Sequence, residues 1–345
     1  MGWSVVPCFR SRDHCPVLDE EARTFFALLL EGLKKLDRSL AEGSVSLRWS
    51  VEAMNLLKRM QVELVALLKR SQMPISFETE EDWFNQFMQE TATLLDLCNS
   101  LKCALSGINR YRMVAELVIQ KMVQDDSACS LSLKDLEFER LVGEEHETRS
   151  SVRATKENVS STTTSTGSNG NEGRSKLNNS KKSIAAVMLA AKATMVAVSL
   201  ILVSAIVSPI PIDVASEELI SGSPQLLRPF ADMLTALIAR FRERVSKPDE
   251  DGSRFVLAEH EMVGSAVGDL RAQVMQGMVL AGEEEEERER WLESIGLLRT
   301  SSAELRQGVE MFDAVVDEVF DVVIRGRKEM LGMFRDGLLS SSTSM

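Results

Sequence analysis

The stretch from Ile184 to Ile212 reads IAAVMLAAKATMVAVSLILVSAIVSPIPI and is the only long apolar run in the 345-residue sequence. A segment rich in Ser, Thr and Asn leads into it, and Pro209 and Pro211 close it. From Ile184 to Val207 there are 24 residues, enough to cross a hydrocarbon layer about 30 Å thick. Eleven of them are Leu, Ile or Val, which together favour insertion by about 3 to 6 kcal/mol. Lys192 opposes this by up to about 3 kcal/mol, and less where its side chain can reach toward the interface. Insertion wins modestly. Ala186, Ala190, Ala193, Ala197 and Ser204 form a small-residue face that suits close helix packing in a membrane. The same face suits the centre of a soluble bundle. Two placements therefore stay open: a membrane segment marked by Ile184, Lys192, Leu200 and Val207, or a core helix.

The flanks favour one orientation for a span. Arg174, Lys176, Lys181 and Lys182 precede the run, and Asp213, Glu217 and Glu218 follow it. The positive-inside rule then puts the N-terminal half in the cytosol. The expectation is a membrane-associated chain with a single-pass helix, and the alternative is a cytoplasmic one.

Before the run, residues 143–183 are almost devoid of apolar side chains and cannot bury enough surface to order themselves. They are expected to be a disordered linker, with formal glycosylation sequons at Asn158 and Asn178. Residues 18–142 read as helices. Phe25, Phe26, Leu29, Leu33, Leu36 and Leu40 form one stripe; after Gly43, Leu47, Val51, Met54, Leu57, Gln61, Leu64 and Leu68 form another. Met73-Pro74 ends that helix. Thr79 is placed to cap a third helix, which begins near Trp83 and carries the seam Phe87, Thr91, Leu94, Cys98, Leu101, Leu105 and Ile108. A fourth is expected from Tyr111 with Val114, Leu117 and Val118, and a shorter piece holds Leu133, Leu136, Phe138 and Leu141. Residues 1–17 are expected to be a disordered leader, since Val6 stands where a myristoylation motif at Gly2 wants Ser or Thr.

After the run, residues 213–338 continue the helical pattern, and residues 339–345 read as a disordered tail. Leu226, Phe230, Met233, Leu237 and Phe241 form one stripe. A turn spans Lys247 to Gly252, and Leu257, Val263, Val267, Leu270, Val274 and Met278 form the next stripe. The last helix is the longest, with Trp291, Ile295, Leu298, Ser302, Leu305, Val309, Phe312, Val316, Val319, Val323 and Met330 in coiled-coil-like spacing. The fold class is all-α: an antiparallel bundle of long amphipathic helices with a central apolar helix.

Composition and chemistry narrow the function. A net charge of −12 argues against nucleic acid, whose phosphates need a basic surface. Cys8, Cys15, Cys98, Cys103 and Cys129 share no spacing, and an odd number argues against a disulfide framework. Cys98 and Cys103 point to different sides of one helix, so they are not read as a metal pair. His14, His146 and His260 lack partners at metal-ligand spacing, and the acidic run Glu283–Glu287 lacks the glycine and alternation of a calcium loop. No catalytic, cofactor or metal site is assigned.

The segment WFNQFMQETATLLDLCNSLKCALSGINRYRMVAELVI resembles the plant BYPASS family and its exocyst-associated relatives, through Leu95, Asp96, Cys98 and Asn99. ELRQGVEMFDAVVDEVFDVVIRGRKEML is similar to that family's closing helix, where a hydrophobic heptad ends in a turn carried here by Arg325, Gly326 and Arg327. The resemblance implies a non-enzymatic plant developmental and signalling protein that acts through protein contacts and restrains a mobile root-derived signal. An exocyst-linked trafficking adaptor and an enzyme controlling a mobile metabolite are the alternatives. Under the resemblance, Asp96 and Asn99 are expected to be packing or capping contacts, and Arg325 and Arg327 to complement the dipole at the end of the last helix.

Overall fold

A computed structural model describes residues 20–71, 83–124, 175–207, 227–245, 257–275 and 285–342. Outside it fall the leader, Pro74, Thr79, the piece holding Leu133 to Leu141, most of the linker with Asn158, Pro209 and Pro211, and the 247–252 turn. Every described element is helical: α1 Glu20–Glu42, α2 Leu47–Arg70, α3 Trp83–Gln124, α4 Ser175–Leu202, α5 Arg228–Val245, α6 Ala258–Met275 and α7 Glu285–Ser342. The chain is an all-α bundle with an apolar helix at its centre.

The stripes read from the sequence are the buried faces. Phe25, Leu29, Leu33, Leu36 and Leu40 of α1 are buried, as are Met54, Leu57, Leu64 and Leu68 of α2. α1 and α2 form a hairpin. Lys35 pairs with Glu52 across it, and the Trp49 indole N–H donates to the Leu36 carbonyl. Ser46 caps α2 by accepting from the Trp49 N–H, a partner for one of the donors a helix start leaves unpaired.

Three boundaries differ from expectation. α3 is one helix of 42 residues, with no break at Tyr111. Gly107 costs about 1 kcal/mol within a helix, and the buried faces of Ile108, Tyr111, Ala115, Val118 and Ile119 outweigh that. Leu117, expected on the apolar stripe, is 55% exposed instead. α4 begins at Ser175, inside the stretch read as linker. Extending a helix that tertiary packing has already nucleated is far cheaper than starting one, so polar residues are drawn in ahead of the apolar run. At the other end α7 runs to Ser342, past the expected boundary at 338, so part of the stretch read as a tail is helical.

α1 and α2 run antiparallel, Arg70 meeting Glu21 and Lys35 meeting Glu52, but two pairs of helices remote in sequence run in parallel. On α2 and α7, Lys58 bonds Glu318 and Lys69 bonds Glu329, each across 260 residues. Leu47 abuts Gly308 and Val65 abuts Gly326, both across 261. An almost constant offset is the signature of two helices running side by side in the same direction. α1 and α5 do the same: Arg240 bonds Asp37 and Arg244 bonds the Ala41 carbonyl, each across 203 residues. α3 and α7 run antiparallel, since Lys102 meets Asp313 and Asp317 while the earlier Thr91 meets the later Arg327. Helices from both sides of the apolar run thus share one core.

α4 touches α1, α2, α3 and α5. Its most apolar stretch, within Ser183–Val207, is long and apolar enough to cross a membrane, yet 83% of it is buried inside the protein. A helix apolar on all sides has to be buried somewhere, and here other helices enclose it. The predicted small-residue face, Ala186, Ala190, Ala193, Ala197 and Ser204, is buried throughout. α4 ends in a wider π-helical turn, Val203–Val207, against which α3 packs.

Candidate functional site

The residues Arg325, Gly326 and Arg327 lie within α7, well before its end at Ser342. They make no turn and cannot serve the helix terminus, so that expectation is corrected. Each has a separate position around the helix. Gly326 faces α2, where a Cβ would stand 2.9 Å from Val65 Cγ2. Arg327 faces α3, donating from Nη1 to the Met88 carbonyl and to Thr91 Oγ1. Arg325 turns outward beside a groove. The segment closes α7 onto two helices at once and leaves one guanidinium at the surface.

That groove runs between α2 and α7 and holds about 240 Å³. Val62, Val65, Ala66, Val322 and Gly326 give it an apolar floor, with Gln61, Lys69, Arg325 and Glu329 around it. Val62 is 48% exposed, an apolar residue off the buried stripe of its helix. The Lys58–Glu318 and Lys69–Glu329 pairs, at 2.6 and 2.8 Å, lie eleven residues apart along α2, on the order of 16 Å or three turns. Sequence reading placed Gln61 as the lone break in the α2 stripe and did not single out Val62. The one available signal was an apolar residue on the charged side.

Leu95, Asp96, Cys98 and Asn99 do not assemble into a site with the α7 segment. They lie on α3 between its two anchor points to α7, the Met88–Thr91 contact with Arg327 and the Lys102 contact with Asp313 and Asp317. Asp96 and Asn99 sit mid-helix and are exposed, so neither caps nor packs. Leu95 is half-buried, and Cys98 is fully buried as a core residue. Burial, with Asp317 nearby and Lys102 opposing, pushes the Cys98 thiol up to about 12. Cys103 is exposed on the other side of the helix.

Of the marked residues of the apolar run, Ile184 is buried, while Lys192 and Leu200 of α4 and Val207 of the π-helical turn are half-buried. Lys192 faces an acid that sequence reading missed. Glu90 of α3 is only 6% exposed, and burial raises its carboxyl to about 7 against the opposing effects of the Gln86 hydrogen bond and the Lys192 charge. Burial lowers Lys192, and Glu90 partly restores it. Glu90 follows Phe87 by three residues and precedes Leu94 by four, so its place on the apolar seam was legible. Its partner was not.

Among the described residues, no three His, Cys, Asp or Glu side chains come together to hold a metal. His260 makes an edge-on contact with Tyr111, ring centroids 5.0 Å apart. Comparison with protein-family models, curated proteins and solved structures returns no match for this chain.

Proposed function

We propose that the chain is a non-enzymatic helical interaction protein of the plant BYPASS kind, engaging partners through its exposed helical faces to restrain a mobile root-derived signal. The observation that carries this reading is the apolar-floored groove between α2 and α7, beside the Arg325-Gly326-Arg327 segment on which the resemblance rests. Its volume lies below the roughly 300–1,000 Å³ of small-molecule sites, a size for inserted side chains more than for a substrate. The enzyme alternative would draw on Glu90, whose carboxyl is shielded by the core.

α4 is proposed to act as the core helix of this bundle, in place of the expected membrane span. A single crossing would put residues 18–142 and 213–338 on opposite faces of a bilayer. Yet Lys58 and Glu318, Lys69 and Glu329, and Lys102 and Asp313 are in direct contact. The helices around α4 also carry ion pairs such as Lys35–Glu52 and Arg70–Glu21 on their outer sides, which lipid would not tolerate.

Grafting tests the function. Roots lacking the chain should arrest a normal shoot, and unimpeded growth of that shoot would reject the reading. The exocyst-adaptor alternative predicts that exocyst subunits co-purify with the full chain. Carbonate extraction with protease protection of tagged ends tests the core-helix reading. Release into the soluble fraction is expected, and a membrane-retained chain with one protected end would overturn it.

A further inference from the structure

We infer that the α2–α7 groove is a docking site for an acidic amphipathic helix of about three turns from a partner protein. This rests on the reading of the chain as an interaction protein and specifies where and with what chemistry it binds. Both walls are helices whose backbone groups are already paired along their lengths, so a strand cannot be added to either edge. Helix-in-groove docking remains, with anchors at i, i+3, i+4 and i+7 entering the floor formed by Val62, Ala66 and Val322.

Charge selects the partner's sign. The groove is lined by two cations, Lys69 and Arg325, against one carboxylate, Glu329. Lys69 is engaged by that carboxylate. Among the described residues Arg325 has no hydrogen-bond or ion-pair partner. Its planar guanidinium beside an apolar floor can donate two parallel hydrogen bonds to a carboxylate, while a basic helix would set like charges together. An acidic residue following the apolar anchors completes the match.

The test uses the full chain and two fluorescent 14-residue helical peptides with identical apolar anchors, one flanked by Glu and one by Lys. Anisotropy titration should show the acidic peptide binding at least tenfold tighter. Arg325→Glu should reverse the preference, and Val62→Glu should abolish binding of both peptides. Circular dichroism verifies that each variant is folded. Equal binding of the two peptides, or a preference unchanged by Arg325→Glu, overturns the proposal. So does a self-associated chain that Arg325→Glu dissociates, because the groove is then filled by a second copy. If Arg325→Glu leaves the grafting phenotype intact while loss of the whole chain does not, the groove fails and the proposed function stands.

Discussion

Gly326 of α7 lies against Val65 of α2 with no room for a side chain between the two helices. Gly308, eighteen residues earlier on α7, lies against Leu47, eighteen residues earlier on α2, where an added Cβ would stand 2.8 Å from the leucine Cδ1. Eighteen residues are five helical turns, so both glycines face the same way and set the spacing of the parallel pair.

Substitutions at these glycines should therefore separate packing from propensity. Gly326→Leu is expected to cost about 1–3 kcal/mol by overpacking. Gly332, six residues on, has nothing within 4 Å of its absent Cβ. Gly332→Ala should stabilise by roughly 0.5–1 kcal/mol through helix propensity alone. Urea midpoints of the two variants should move in opposite directions, and parallel shifts would contradict the close approach.

Glu90 makes stability fall as pH rises. Its folded-state value of about 7 lies above its ordinary 4.5, so the fold favours the protonated form. That contribution is full below about pH 4.5 and is lost as pH climbs through 7. Glu90→Gln keeps an acceptor for Gln86 and removes the charge. The variant should match the parent near pH 4.5 and exceed it by roughly 2–3 kcal/mol at pH 8. Denaturation curves at both values check this, and an equal gap at the two would reject it.

Glu259 of α6 stands at the start of α2, accepting from the Leu47 N–H at 3.0 and 3.1 Å through its two oxygens. The neighbouring Ala258 N–H donates to the Val45 carbonyl. Burial raises Glu259, opposed by the hydrogen bonds from the backbone, so its ionisation also weakens the fold as pH rises above the ordinary carboxyl value. Glu259→Ala removes a cap and should cost about 1–2 kcal/mol. Glu259→Gln, which keeps an acceptor, should cost less. Hydrogen exchange at Leu47 reports the loss locally.

Arg327 ties α7 to α3 through the Met88 carbonyl and Thr91. Hydrogen bonds from a charged donor contribute about 1.5–3 kcal/mol, so Arg327→Ala should lower stability by that order. Arg327→Lys should restore only part, since an ammonium lacks the planar fork. Thr91→Val combined with Arg327→Ala should be less than additive. Full additivity would mean the two residues do not act together.

The sequence carries the faces of the helices but not their partners. The α1, α2, α3 and α7 stripes were readable because burial imposes a three-and-four spacing on any core-facing helix. Nothing in a stripe says which other stripe covers it, so the parallel pairing of Lys58 with Glu318 and of Asp37 with Arg240 was hidden. The continuity of α3 past Gly107 was missed because a local propensity cost is outweighed by packing that lies elsewhere in the chain. The turn at Arg325 to Arg327 came from the family resemblance and not from the residues themselves. The segment's actual use, a close approach on one side and a tether on another, depends on α2 and α3 both being in place. Glu259 as a cap for α2 is the same problem: donor and acceptor are 212 residues apart.

The pairing of α2 with α7 has a consequence for synthesis. About 160 residues separate the end of α3 from the start of α7. At roughly 5–20 residues per second, a ribosome needs on the order of ten to thirty seconds to make them. Throughout that time the seams of α2 and α3 that α7 will cover lack that helix on the nascent chain. A chain truncated before α7 keeps those seams open permanently, so a premature stop late in the message yields a sticky, aggregation-prone product and not a shorter working protein.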